Sequence, residues 1–174
     1  MTDKESAKGW EPKIVAIVCN WCTYAGADLA GISRIQYPPN VRIIRVPCTG
    51  RINPFYVLKA LQEGADGVLV SGCHPGECHY ITGNLTARRK FAALKSFLGY
   101  IGVEGDRTLF TWVSASEGDR FAQVIRGVTD AVRALGPAKA PRSRRRKYSA
   151  GFRVAIVTAA RGSSPRDTAW RRRW

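Results

Sequence analysis

No apolar run in this 174-residue chain approaches the ~20 residues that a membrane-spanning helix needs. The opening stretch, MTDKESAKGWEPK, is polar and lacks the apolar centre of a secretory signal. These two absences make a cytoplasmic location, away from membranes, the expectation. In that compartment cysteines serve as thiols, metal ligands or catalytic groups rather than as disulfides. There is no Walker A sequence and no G-x-G-x-x-G after a strand, so neither phosphate-binding motif is available. Acidic residues are scarce in one place only. Residues 137–174 hold 12 Lys and Arg against one acid, whereas residues 1–136 hold 16 against 12. The formal net charge of +15 therefore belongs largely to a basic tail, and the rest is a mildly basic globular segment.

Five cysteines are present, an odd number that disulfides cannot use up. The apolar run KIVAIVCNWC ends in a C-x-x-C pair, Cys19 and Cys22. RIIRVPC ends at Cys48, and GVLVSGC ends at Cys73, with Cys78 close behind. All five are thus expected at or just beyond the carboxyl ends of three strands.

In chain order, residues 1–12 read as an amino-terminal arm that Trp10 can anchor. Lys13–Val18 predicts a strand buried on both faces, because its Ile and Val scarcely alternate with polar residues. Thr23 to Gln36 has helical spacing, and its small residues would let the backbone pack closely. Tyr37-Pro38 is expected to end it. Val41–Val46 is a second strand. Asn53-Pro54 is a cap followed by a first-turn proline, and Gly64 is placed to stop the helix. Gly67–Ser71 predicts the third strand, Leu85–Leu98 a third helix and Thr108–Val113 the fourth strand. Ser116 with Asp119 approximates a capping box for a last helix that runs to Leu135. This alternation implies an α/β fold, a doubly wound, four-stranded parallel sheet of flavodoxin-like order 2-1-3-4. The domain spans residues 13–136. In the tail, 137–174, Phe152–Thr158 could form a strand, and the Arg/Ala/Pro/Ser/Trp bias reads either as a basic extension or as a GC-rich frame translated out of register.

Ligands of such sheets gather where the winding reverses, here between strands 1 and 3. Cys19, Cys22, Cys73 and Cys78 are expected to converge there as metal ligands. Cys48, on the other neighbour of strand 1, is then the fifth, non-ligating thiol, with Cys78 as the rival for that role. Soft thiolates suit iron–sulfur clusters, zinc and copper(I). Against a cluster stand cysteines that merely pack, a zinc site, for which the spacings are untidy, and a thiol–disulfide oxidoreductase using Cys19 and Cys22 before a helix. His74 and His79 flank the third loop, either as surface histidines or as groups that replace or tune a ligand. Glu77 has no partner carboxylate and reads as a loop residue. Trp21 would shield the site or dock a partner. Ser114, Ser116 and Glu117 would line its edge or cap a helix. Nucleic-acid binding through the tail is a further reading, ranked below these.

The segments EPKIVAIVCNWCTYAGADLAGISRIQYPPNVRIIRVPCTGRINP, GADGVLVSGCHPGECHY and SASEG closely resemble the delta subunit of methyl-viologen-reducing nickel–iron hydrogenase. The resemblance covers roughly residues 11–136 and leaves out the tail. It implies a [2Fe–2S] carrier with all five cysteines at matching positions. It also implies partners, namely a hydrogenase small subunit or a formate dehydrogenase as donor, and the flavin-containing subunit of heterodisulfide reductase as acceptor.

Overall fold

The computed structural model describes residues 9–138, all of which belong to one compact unit. The expectations for residues 1–8 of the arm and for residues 139–174 of the tail, including a strand at Phe152–Thr158, lie outside the described residues. Four strands, β1 (Ile14–Cys19), β2 (Val41–Val46), β3 (Gly67–Gly72) and β4 (Thr108–Trp112), alternate with four helices. The helices are α1 (Thr23–Ile32), α2 (Pro54–Gln62), α3 (Gly83–Tyr100) and α4 (Gly118–Leu135). The sheet is parallel throughout, in the order β2-β1-β3-β4, as expected.

The unbroken apolar character of β1 and β3 follows from their central place. Ala16 and Val18 of β1 face a core built with Ala27, Ala30, Phe121 and Ile125 of α1 and α4. Ile17 faces the opposite core, with Val57 and Leu61 of α2 and Phe91, Leu94 and Leu98 of α3. Trp10 packs beside Ile14, Val128 and Val132, which anchors the chain ahead of β1. The close approach foreseen for α1 is real, since a Cβ on Gly26 would sit 2.8 Å from the Ser114 carbonyl oxygen.

Local signals set both ends of α2. The Asn53 side chain accepts the Phe55 N–H at 3.0 Å, and Pro54 opens α2. Gly64 follows with φ of +97°, a conformation glycine adopts without cost. Two expectations need correction. α1 ends at Ile32 instead of Gln36, because Arg34 turns left-handed (φ +56°) before the prolines are reached. Ser116 does not cap α4; Glu117 occupies the cap position and makes no side-chain cap bond.

At the amino end of the sheet lies a polar clamp. Buried Arg107 donates to the carbonyls of Asp66 (3.2 Å), Gly136 (3.0 Å) and Pro137 (3.4 Å) and pairs with Glu104 at 2.8 Å. The Asp66 carboxylate accepts the backbone N–H groups of Lys13 and Ala138, each at 2.9 Å. A largely apolar groove of about 800 Å³ lies against β1, β2 and α2, lined by Val15, Ile17, Ile44, Val46 and Tyr56 among others, and none of the five cysteines borders it. Among the described residues no helix is long and apolar enough to cross a membrane.

Candidate metal centre

The cysteines occupy the opposite, carboxyl end of the sheet. Cys19 is the last residue of β1, and Cys22 takes the cap position of α1. Cys48 follows β2 and caps a single 3-10 turn, Thr49–Arg51, its sulfur accepting the Gly50 N–H at 3.4 Å. Cys73 follows β3, and Cys78 lies in the loop that leads to α3. All five are free thiols, each buried, and together they form one cluster.

Within that cluster the sulfurs divide. Those of Cys19, Cys22 and Cys73 lie within 4.8 Å of one another, with Cys19 and Cys73 at 3.8 Å. Cys48 and Cys78 form the other group, both pressed against the backbone of Gly83. A Cβ on Gly83 would collide with the Cys48 sulfur and stand 3.3 Å from that of Cys78, so the absence of a side chain there makes room for sulfur.

The protonation pattern follows from these neighbours. Cys19 is lowered to about 6, first because the Cys22 thiol hydrogen-bonds to it, while burial opposes the shift. Cys22 is pushed up, by that same bond and by burial. Burial lifts Cys73 to about 11 and also raises Cys48. For Cys78 burial opposes ionisation, but the N–H groups of Asn84, Tyr80 and Gly83 and the Cys48 thiol outweigh it and lower the pKa. Each group of thiols thus contains one acidic member.

The loops around the thiols are tied down from several sides. The fully buried Asn84 side chain donates to the carbonyls of Cys73 (3.1 Å) and His74 (2.6 Å). His74 Nε2 pairs with Glu117 Oε2 at 2.7 Å, and that oxygen also accepts the Ser114 N–H at 2.7 Å. The bond from Ser114, then that from His74, holds the Glu117 carboxyl below its ordinary pKa. Trp21 stacks on His79 with ring centroids 4.0 Å apart, and Tyr80 meets His79 edge-on at 5.0 Å. Glu77 and Ser116 are exposed. The sequence reading did not point to two participants, Gly83 and Asn84. Gly83 and Asn84 open α3, and an Asn beside the start of an apolar-periodic helix is a signal that could have pointed to Asn84.

Five soft donors buried together suit a thiolate-ligated metal centre, and among the described residues the group of three close enough to share a metal, Cys19, Cys22 and Cys73, consists of cysteines alone. Comparison with known proteins agrees. The family model for FlpD, the methyl-viologen-reducing hydrogenase delta subunit, matches residues 14–136. The chain is 53% identical over 131 residues to the iron-sulfur subunit of the vhc F420-non-reducing hydrogenase of Methanococcus voltae, covering 75% of this chain and 91% of that one. It is 51% identical over 130 residues to the iron-sulfur subunit of the F420-non-reducing hydrogenase of Archaeoglobus profundus, covering 75% and 95%. It also matches one subunit of the ferredoxin:CoB-CoM heterodisulfide reductase of Methanosarcina mazei, 50% identical over 126 residues, or 72% of this chain but 16% of that far longer protein.

Proposed function

Because the chain belongs to the FlpD family, the methyl-viologen-reducing hydrogenase delta subunits, we propose that it is a [2Fe–2S] electron-transfer subunit. It relays electrons between a hydrogenase small subunit, or a formate dehydrogenase in its place, and the flavin-containing subunit of heterodisulfide reductase. The observation that carries this reading is the single buried cluster of five free thiols at the carboxyl ends of three parallel strands. Relatives named as iron–sulfur subunits, and a reductase subunit that contains a matching segment, support it.

Cys19, Cys22 and Cys73 supply three ligands and Cys78 the fourth. Burial opposes both thiolates, and Cys78 is favoured over Cys48 because three backbone N–H groups answer its sulfur against one, from Gly50, for Cys48. When bound, the cluster supplies reversible one-electron chemistry. The protein holds the thiolates, keeps water from them by burial and fixes the loops through Asn84 and the His74–Glu117 pair. No general base or nucleophile is required, and exposed Glu77 has no such role.

Anaerobically purified protein is expected to be brown, with about two irons per chain. Serine offers a harder oxygen in place of sulfur. Cys19→Ser, Cys22→Ser, Cys73→Ser and Cys78→Ser should therefore lose the cluster or shift its paramagnetic resonance spectrum, while Cys48→Ser keeps it. Loss in Cys48→Ser with retention in Cys78→Ser would reverse the assignment of the fifth thiol. A colourless, iron-free protein that reduces disulfides would replace the whole reading with a Cys19/Cys22 oxidoreductase. The acidity of Cys19 fits that alternative, but its near-complete burial does not, since a nucleophilic thiol must be reached by its substrate.

A further inference from the structure

Two buried hydroxyls beside Cys22 have no part in the ligation described above. Thr23 opens α1 and Ser71 lies on β3; both are fully buried, with their oxygens 3.0 Å apart. Thr23 Oγ1 is also 3.4 Å from the Val113 carbonyl oxygen and 3.8 Å from Cys22 Sγ. Among the described residues Thr23 is the only hydrogen-bond partner of the Ser71 hydroxyl.

Counting protons fixes the direction of these bonds. If Thr23 donated to Ser71, the Ser71 proton would be left buried without an acceptor, at a cost of roughly 1–3 kcal/mol. Ser71 therefore donates to Thr23. The single Thr23 proton is left for two acceptors, the Val113 carbonyl and the Cys22 sulfur. As a free thiol Cys22 can itself donate to Thr23. As a ligating thiolate it can only accept, and a charged acceptor attracts the stronger hydrogen bond.

We propose that in the metal-loaded protein Thr23, backed by Ser71, donates a hydrogen bond to the Cys22 thiolate and thereby raises the reduction potential of the centre. The proposal rests on Cys22 being a cluster ligand. A donor to sulfur draws electron density from the thiolate. The reduced state, which carries one more negative charge, gains more from this than the oxidised state. Ser71 acts through Thr23, because accepting one bond strengthens the bond that the same hydroxyl gives.

The test compares midpoint potentials, measured by anaerobic redox titration of the full-length, cluster-loaded protein. Thr23→Val keeps the shape and removes only the hydroxyl, so it should shift the potential negative while iron content stays at the wild-type level. Thr23→Ser restores the donor and should titrate near wild type. Ser71→Ala should shift the potential in the same direction as Thr23→Val, but less. A Thr23→Val protein with full iron, lower thermal stability and an unchanged potential overturns the proposal, since the hydroxyl would then be structural only. If Thr23→Val does not fold, the Ser71→Ala and Thr23→Ser pair decides the question, and an unmoved Ser71→Ala potential overturns it. Wild-type protein without iron would instead overturn the cluster reading itself, which keeps the two failures apart.

Discussion

At the amino end of the sheet, Arg107 and Asp66 are buried with every charge answered by a carbonyl, an amide or Glu104. At the carboxyl end, five buried thiols meet chiefly one another and a few backbone amides. Both ends take polar atoms out of water, but only the first is satisfied within the protein. Weak donors and acceptors such as thiols tolerate this at modest cost. What they retain is the capacity to bind something else. The clamp closes the domain, with the entries to β1, β3 and β4 and the end of α4 all tied to it, whereas the thiols leave their bonding capacity unspent.

The contrast can be broken first at the clamp. Arg107→Ala strands three carbonyls and empties a buried site, so denaturant unfolding should show a loss of about 3 kcal/mol. Protein that remains folded should still load iron to the wild-type level. Reduced iron loading in that folded fraction would mean that the two ends are coupled. At the thiol end, Gly83→Ala forces a methyl against the Cys48 and Cys78 sulfurs. Overpacking of this kind should cost about 1–2 kcal/mol and, more diagnostically, most of the bound iron after anaerobic reconstitution.

Glu117→Gln is expected to be milder, below about 1 kcal/mol, because a third of the side chain is open to solvent screening. Its sign is set by pH. The folded-state pKa of Glu117 is lowered, so its contribution is fully present above the ordinary carboxylate range and is lost as pH falls through the lowered value. Wild type should therefore be more stable than Glu117→Gln at pH 7, and the two should converge as the solution becomes strongly acidic. Smallest of all, Lys59→Ala removes an exposed i, i+4 pair with Glu63 and should leave both unfolding and iron content unchanged within error.

Much of the scaffold was legible because its signals are local or periodic. Two uninterrupted apolar runs mark the strands covered on both faces, Asn53-Pro54 starts α2, and the alternation of strands with helices fixes the parallel order. Arg34 defeated the boundary of α1, since no residue type there announces a left-handed turn. The sheet order accounts for five thiols at one end of the sheet, but not for Cys78 lying beside Cys48 rather than with Cys19, Cys22 and Cys73. Their division into a group of three and a group of two depends on the path of the loop from Cys73 to Gly83, which Asn84 sets through two carbonyls ten and eleven residues away. Thr23 and Ser71 are 48 residues apart, and only the folded sheet makes them neighbours.

The strand order also leaves β2 as an edge, with Ile44 about half exposed and, among the described residues, no strand paired to its outer side. Such an edge is a template on which a second chain can extend the sheet. Arg42 and Arg45 stand exposed along its six residues, Arg45 held over the Tyr24 ring with its guanidinium carbon 4.8 Å from the centroid. Their like charges would face each other across any edge-to-edge contact between copies. Colloidal stability of the concentrated protein should accordingly depend on these two arginines, weakening in high salt as that repulsion is screened.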